Sequence, residues 1–368
     1  MNTNSRIPAI DIMRGMTIAF MILVNNPGSY SNIYAGLRHA EWQGFTPVDF
    51  IFPFFLFIAG VSISLSIGRR RQQARSDRDI LVSALRRGAI LFCLGLVDNG
   101  FPSFALASLR IPGVLQRIGI VTFLTTAIAL KLRPRAIAGL IVLLLLSYWV
   151  LMTLVPIPDV GEPDLSTLTD NLAAWLDHKL LGGHLWIPEE QWDPEGILST
   201  IPALCLSLIG FLAGKRLIAL DSLRAKIVSF VVFGTAMTAS GLLWSLWFPL
   251  NRWLWTSSFM LFVSGLALYC LVLGLWAGEF ARARNALAPF TIFGSNAIVA
   301  YLGSSLIAKT VFILRLPGGE NLHDELYRLF FTSWLHPFDA SMAWAIAFTL
   351  FMFLLAYLLH ARRIFIKI

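Results

Sequence analysis

Apolar residues run through this chain in blocks of about twenty, the length a helix needs to cross a hydrocarbon core of roughly 30 Å, with polar stretches between them. With proline, glycine and charge read as stop signals, the blocks predict helices over about Pro8 to Asn26, Pro47 to Gly68 and Arg87 to Asn99. A fourth starts near Pro112, and a fifth ends near Val155. A sixth follows Asp193-Pro194-Glu195-Gly196 and ends at Lys215 and Arg216, and four more cover Lys226 to Phe248, Leu254 to Gly278, Pro289 to Val311 and Ser341 to His360. The alternation of a β-barrel is missing. The expected fold class is therefore all-α: a polytopic integral membrane bundle of about ten transmembrane helices, with no long polar linker to divide residues 1–368 into more than one domain. Residues 156–196 form the longest polar segment and face outward. Within it Leu165, Leu168, Leu172, Trp175, Leu176 and Leu180 recur at helical spacing before Gly182 and Gly183, which predicts an amphipathic helix on the outer interface.

Charge adds a direction to this pattern. Arg69, Arg70, Arg71, Arg75, Arg78, Arg86 and Arg87 follow the second helix, and such a density of arginine marks a cytoplasmic loop. Lys131, Arg133 and Arg135, then Lys215 and Arg216, then Arg362, Arg363 and Lys367 fall on the same side of the alternating topology. Both termini are expected to be cytoplasmic. Composition agrees with burial in lipid: 57% of residues are hydrophobic and the mean hydropathy is +0.71. The net charge of +8 is spread over alternate loops, so lipid headgroups are the expected partner and nucleic acid is not. Cys93, Cys205 and Cys270 lie inside apolar runs and read as small core residues rather than a disulfide framework. Asp11 and Arg14, one helical turn apart, interrupt the first apolar run without a convincing cleavage site after it, so that segment is expected to stay attached. Arg117, beside Gln116 and several residues into an apolar helix, needs a partner, for which Asp49 and Asp98 are the candidates.

One stretch carries more specific chemistry. Arg38 to Gly60 reads R-H-A-E-W-Q-G-F-T-P-V-D-F-I-F-P-F-F-L-F-I-A-G, so a titratable side chain, His39, sits at the mouth of a membrane helix. Taken alone, His39 and Trp42 suit an interfacial belt as well as a site. The stretch as a whole resembles the signature of the heparan-α-glucosaminide N-acetyltransferase family and its bacterial NagX-like relatives. The preceding D-I-M-R-G-M-T-I-A-F-M-I-L-V-N-N-P-G resembles that family's first core helix, and G-V-L-Q-R-I, D-P-E-G-I-L-S-T, N-R-W-L-W-T-S-S and R-R-I-F-I-K-I resemble further segments in order. Gln43 stands where many relatives carry Asn, and Arg252 where many carry Lys. The resemblance leads us to expect no counterpart of the lumenal region that precedes the core in animal members.

The resemblance implies an acyltransferase of the bacterial inner membrane that takes an acetyl or other acyl group from cytoplasmic acyl-CoA to the amine of an amino sugar or related saccharide outside. His39 carries over as the catalytic residue, acting as general base on the amine or as a nucleophile that is itself acylated; the direct route is preferred. Asn25 or Asn26 can donate to the developing oxyanion, and Asp49 or Glu195 can orient His39 or hold the substrate ammonium. The remaining outward polar groups, Trp42, Asp193, Glu195, Asn251, Trp255, Ser257 and Arg117, are the candidates for substrate binding. Arg70, Arg71, Arg86 and Arg87 read as topology and lipid contacts or as a funnel for CoA phosphates, and Asn296, beside Gly294 and Ser295, as packing or polar lining. His178, His184, Glu189 and Glu190 lack metal-ligand spacing, and no metal is expected. A secondary transporter of sugars or cell-wall fragments is the main rival reading, followed by a non-catalytic scaffold. Oligomeric state stays open, a homodimer included.

Overall fold

The computed structural model describes residues 7–186 and 192–366. The long helices are α1 (Pro8–Asn25), α2 (Ile51–Gln72), α3 (Asp77–Gly100), α4 (Val114–Lys131), α5 (Pro134–Thr153), α7 (Thr200–Ala219), α8 (Leu223–Trp244), α9 (Ser257–Ala277) and α14 (Pro337–Ala361). Between them lie α6 (Leu172–Leu181), α10 (Ala281–Ala286), α11 (Ala288–Ser295), α12 (Ala297–Ile313) and α13 (Leu322–Tyr327). Among the described residues nine helices are long and apolar enough to cross a membrane, and α11 with α12, bent by 79°, makes a tenth if the pair is one broken span. The fold is an all-α polytopic membrane bundle.

Burial sorts the helices into two shells. α7 and α9 are apolar on every side and packed all round, with α1, α2 and α4 beside them, whereas α3, α8 and α14 leave most of their spanning stretches outward, as lipid-facing helices do. Close approach at the centre relies on glycine: a Cβ at Gly60 would stand 1.9 Å from the Ser207 carbonyl oxygen, and one at Gly210 only 2.1 Å from that of Phe57. Small residues at both positions let α2 and α7 pack backbone to backbone. Because α2 starts at Ile51, two residues after Asp49, this contact fixes the root of the segment that carries the candidate chemistry.

Several elements depart from the sequence pattern. α3 starts at Asp77 rather than Arg87, because Ser76 caps it: Ser76 Oγ accepts from the Asp79 amide at 3.1 Å and Asp79 returns to the Ser76 amide at 3.3 Å. Arg78, Arg86 and Arg87 therefore lie on a helix and not in a loop. The expected amphipathic helix is only Leu172–Leu181; Leu165 and Leu168 precede it in turns, and it buries Ala173, Ala174 and Asp177 against the bundle. The block from Pro289 to Val311 is not one helix but α11 and α12, broken at Asn296. Arg14 does pair with Asp11, at 3.1 Å, and its other nitrogen donates to Ser62 Oγ at 2.8 Å. Glu189, Glu190 and Lys367 lie outside the described residues.

Candidate active site

The connection from α1 to α2 returns along the 245–256 turn, where the Gly44 amide donates to the Leu250 carbonyl at 2.8 Å. A capping box then opens the single 3-10 turn Pro47–Phe50 ahead of α2: Thr46 is the cap, and its amide donates to Asp49 Oδ2 at 2.7 Å. The Ala40 amide donates to the same oxygen at 3.2 Å. Asp49 is buried at 1% exposure, and its free oxygen, Oδ1, lies 2.6 Å from His39 Nδ1. A carboxylate only accepts hydrogen bonds, so Nδ1 carries the proton and Nε2 keeps its lone pair. Burial lowers the proton affinity of His39, the bond to Asp49 raises it and the nearby Arg252 charge lowers it, and the net result lies below the ordinary histidine range. The imidazole is neutral at neutral pH, with one nitrogen prepared to take a proton.

A second charged cluster backs the first. Arg110 grips Asp193 with two bonds of 2.8 and 2.7 Å and reaches Glu195 Oε2 at 2.6 Å. Burial opposes the charge on Arg110, yet the bonds to Asp193 and the charge of Glu195 hold its pKa above the ordinary value. Glu195 also acts electrostatically on His39, Arg117 and Arg252. Arg252 Nε stands 3.5 Å from Asp49 Oδ1, and its guanidinium lies 4.1 Å over the Trp253 ring. The turn carrying Asp193 and Glu195 is held by Asp177, which accepts from the Ile197 amide at 2.8 Å and whose carboxyl burial pushes up to about 7. Gly196 is required there, since a Cβ would meet Asp177 Oδ2 at 1.7 Å.

Tryptophans wall the space outside His39. Trp253 meets the imidazole edge-on at 5.9 Å and donates from Nε1 to the Ala40 carbonyl at 2.8 Å. Trp186 stacks on Trp253 at 6.2 Å, and Trp192 touches Trp253, Trp186 and Trp42 edge-on. With Glu41, Ser166 and Leu168 these four rings line a cleft of about 340 Å³.

A larger cavity of about 560 Å³ lies inside the bundle. Arg14, Arg69, Arg70 and Arg87 stand at its end away from His39, and Met21 and Tyr301 line it towards the His39 end. Its lining on α4 extends from Val114 to Thr126, about 18 Å along a helix axis. Met21 packs with Val48 and Ile51, and Tyr301 joins that cluster, so one layer of side chains separates the cavity from the segment holding Asp49.

The sequence-derived candidates divide accordingly. His39 meets Asp49, Asp193 and Glu195 meet on Arg110, Trp42 lines the cleft, and Arg70 and Arg87 line the cavity. Others are occupied elsewhere. Asn26 donates to the Ile22 carbonyl at 2.7 Å and Asn25 is exposed, so neither hydrogen-bonds His39. Arg117 has neither Asp49 nor Asp98 as its partner: it donates to Gly196 O and Ser199 Oγ and lies 4.7 Å over Trp255, while Asp98 accepts from Ser305 and Lys309. Ser257 Oγ donates to the Leu145 carbonyl, and Asn251 Oδ1 accepts from the Leu254 amide, both as buried structural bonds. Arg71 pairs with Asp77 at the surface, and Arg86 is exposed outside the cavity lining. Asn296 does not line the cavity; its amide holds the C-terminal segment, donating to Ile364 O at 3.0 Å and accepting from the Ile366 amide at 2.9 Å. His184 Nδ1 lies 2.8 Å from the Leu109 carbonyl oxygen. Arg110, Trp186, Trp192, Trp253 and Tyr301 are added by the structure. The tryptophan content of the outer segments was a usable signal, whereas no spacing rule joins Arg110 to Asp193, 83 residues away.

A family model described as "Heparan-alpha-glucosaminide N-acetyltransferase, catalytic" matches residues 6–237, which include His39, Asp49, Arg110, Asp193 and Glu195. Two curated relatives carry the name heparan-alpha-glucosaminide N-acetyltransferase. The protein from Mus musculus is 27% identical over 82% of this chain and 54% of its own length. That from Homo sapiens is 28% identical over 99% of this chain and 60% of its own. The chain thus spans little more than half the length of the relatives it matches.

Proposed function

The chain belongs to the heparan-α-glucosaminide N-acetyltransferase catalytic family, and on that premise we propose that it is a membrane-embedded acyltransferase moving an acetyl or other acyl group from acyl-CoA to the amine of an amino sugar. The observation that carries this reading is a carboxylate-oriented imidazole at one end of a bundle whose internal cavity reaches an arginine-ringed opposite end. The CoA phosphates would bind by Arg69, Arg70 and Arg87, which offer the forked donors such groups favour. The pantetheine arm would follow the cavity, and the thioester would reach His39 once the Met21 and Tyr301 layer yields. By the positive-inside bias the arginine end is cytoplasmic, the acceptor arrives from the other side, and the membrane is the inner membrane of a bacterium.

In this mechanism His39 Nε2 removes a proton as the acceptor nitrogen attacks the thioester carbon. Asp49 holds the tautomer and stabilises the imidazolium that forms. Collapse breaks the C–S bond, and the proton leaves with the CoA thiolate, giving the amide and free CoA. His39→Ala is expected to lower kcat by about 10² to 10⁴ while purified protein still binds acyl-CoA. Labelled acyl-CoA without acceptor should leave no label on a His39 peptide under conditions that preserve acyl-imidazoles. Label that discharges onto added amine at a competent rate would overturn the direct route, and full activity in His39→Ala would overturn the assignment of His39.

A further inference from the structure

The tryptophan cleft begins beside His39 at Trp253 and continues outward through Trp192 to Trp42. An acceptor with its amine at His39 Nε2 would therefore extend its next part towards Trp42 and Trp186, whose rings are open to the cleft, while Trp192 is buried behind them. Ring faces carry negative charge density and attract the weakly positive C–H face of a pyranose or a cationic group. The volume of about 340 Å³ is at the size of small-molecule sites, roughly 300 to 1,000 Å³, and exceeds what an amine alone requires.

The charges around the cleft narrow the class further. Glu41 is the charged group in its described lining. Arg110 lies 5.9 Å from the Trp186 ring but is bound to Asp193 and Glu195, and Arg252 stacks on Trp253 within 3.5 Å of Asp49. Among the charged groups just named around the described cleft, four carboxylates, Glu41, Asp49, Asp193 and Glu195, face two guanidinium groups, so a polyanion meets net negative charge there.

We propose that the cleft formed by Trp42, Trp186, Trp192 and Trp253 is a subsite for the second ring of an amino-sugar oligosaccharide that is uncharged or cationic, not sulfated and not built on uronic acid. The assignment rests on the amino-sugar reading above, which supplies the occupant at His39. It makes the acceptor a saccharide of at least two rings whose terminal unit is modified.

The test separates binding from transfer. Binding of a glucosamine disaccharide to the purified protein, followed by equilibrium dialysis, needs no turnover and is compared with glucosamine and with a sulfated or uronate-containing disaccharide. The two-ring ligand is expected to bind about tenfold more tightly than glucosamine, as one stacked ring contributes, and the anionic one more weakly than either. Trp42→Ala and Trp186→Ala are expected to erase that advantage, while Trp42→Phe and Trp186→Phe retain most of it, which distinguishes a lost stacking face from a misfolded protein. A two-ring advantage that is absent, or that survives both alanine variants, overturns the subsite. Preferred binding of the anionic disaccharide overturns its charge selectivity. Acetyl transfer is then measured separately: disaccharide bound in the cleft but never acetylated supports the subsite and overturns the transferase reading.

Discussion

The Arg252 charge lies 3.5 Å from the Asp49 oxygen that orients the imidazole, and it is one of the influences lowering the histidine's proton affinity. If His39 is the base proposed above it must be neutral to work, so activity is expected to be full above the His39 pKa, which lies below the ordinary value of about 6.5, and to be lost as pH falls through it. Arg252→Gln removes a lowering influence. The acid limb of kcat against pH is therefore expected to move to higher pH in the variant, measured with acceptor saturating so that the bound complex is observed. An unmoved limb would assign it to another group. At this scale the sequence was informative where residues lie close together: ten positions separate His39 from Asp49, and a capping motif joins them. It was uninformative where partners come from distant segments, as with Arg110 and Asp193, or Trp253 and Ala40. Asn25 and Asn26 are oxyanion donors and Asn296 a packing or lining residue in the sequence reading, whereas in the structure the Asn26 and Asn296 amides bond to backbone.

The break between α11 and α12 shows how an element can be misread from hydropathy alone. An apolar block of spanning length predicts one helix, and nothing in its periodicity records that the Asn296 side chain is bonded to backbone groups 68 and 70 residues later. Helix ends are more legible where a capping residue stands in the polar gap; Ser76 caps α3 ahead of Asp77, but the run of arginines after α2 masks that signal. The break has a consequence for the cavity. Ile366 and His360 line its arginine-ringed end, so the segment clamped by Asn296 forms part of the mouth. If the donor enters there, Asn296→Ala is expected to change the KM for acyl-CoA by about three- to tenfold while leaving that for the amine nearly constant. Arg70→Gln, inside the lining, should raise the donor KM by a similar factor, and Arg71→Gln, already paired with Asp77, should alter it little. Equal effects from Arg70→Gln and Arg71→Gln would return these arginines to a general role in topology and lipid contact.

For the molecule as a whole, the alternating direction of the helices gathers His39, Arg110, Asp193 and Arg252 at one end and Arg69, Arg70, Arg75, Arg87 and Arg216 at the other. Nine of the ten expected crossings are single apolar helices among the described residues, legible because a bilayer forces each span to be apolar for about twenty residues, and the tenth is the bent pair α11 and α12. The cavity was not legible, because its walls come from α1, α2, α3, α4, α11, α12, α14 and the C-terminal segment together and no periodicity encodes such a junction. In the proposed reading the arginine-rich end faces the cytoplasm, by the bias of arginine towards that side, and this orientation decides whether acyl groups are carried outward. With Cys93, Cys205 and Cys270 first replaced, single cysteines at exposed positions report the orientation. In intact cells an impermeant thiol reagent is expected to label Glu162→Cys, in the long segment at the His39 end, and to reach Arg75→Cys and Arg216→Cys only after the membrane is opened. Labelling of Arg75→Cys from outside, with Glu162→Cys protected, would invert the protein and reverse the direction in which it could carry an acyl group.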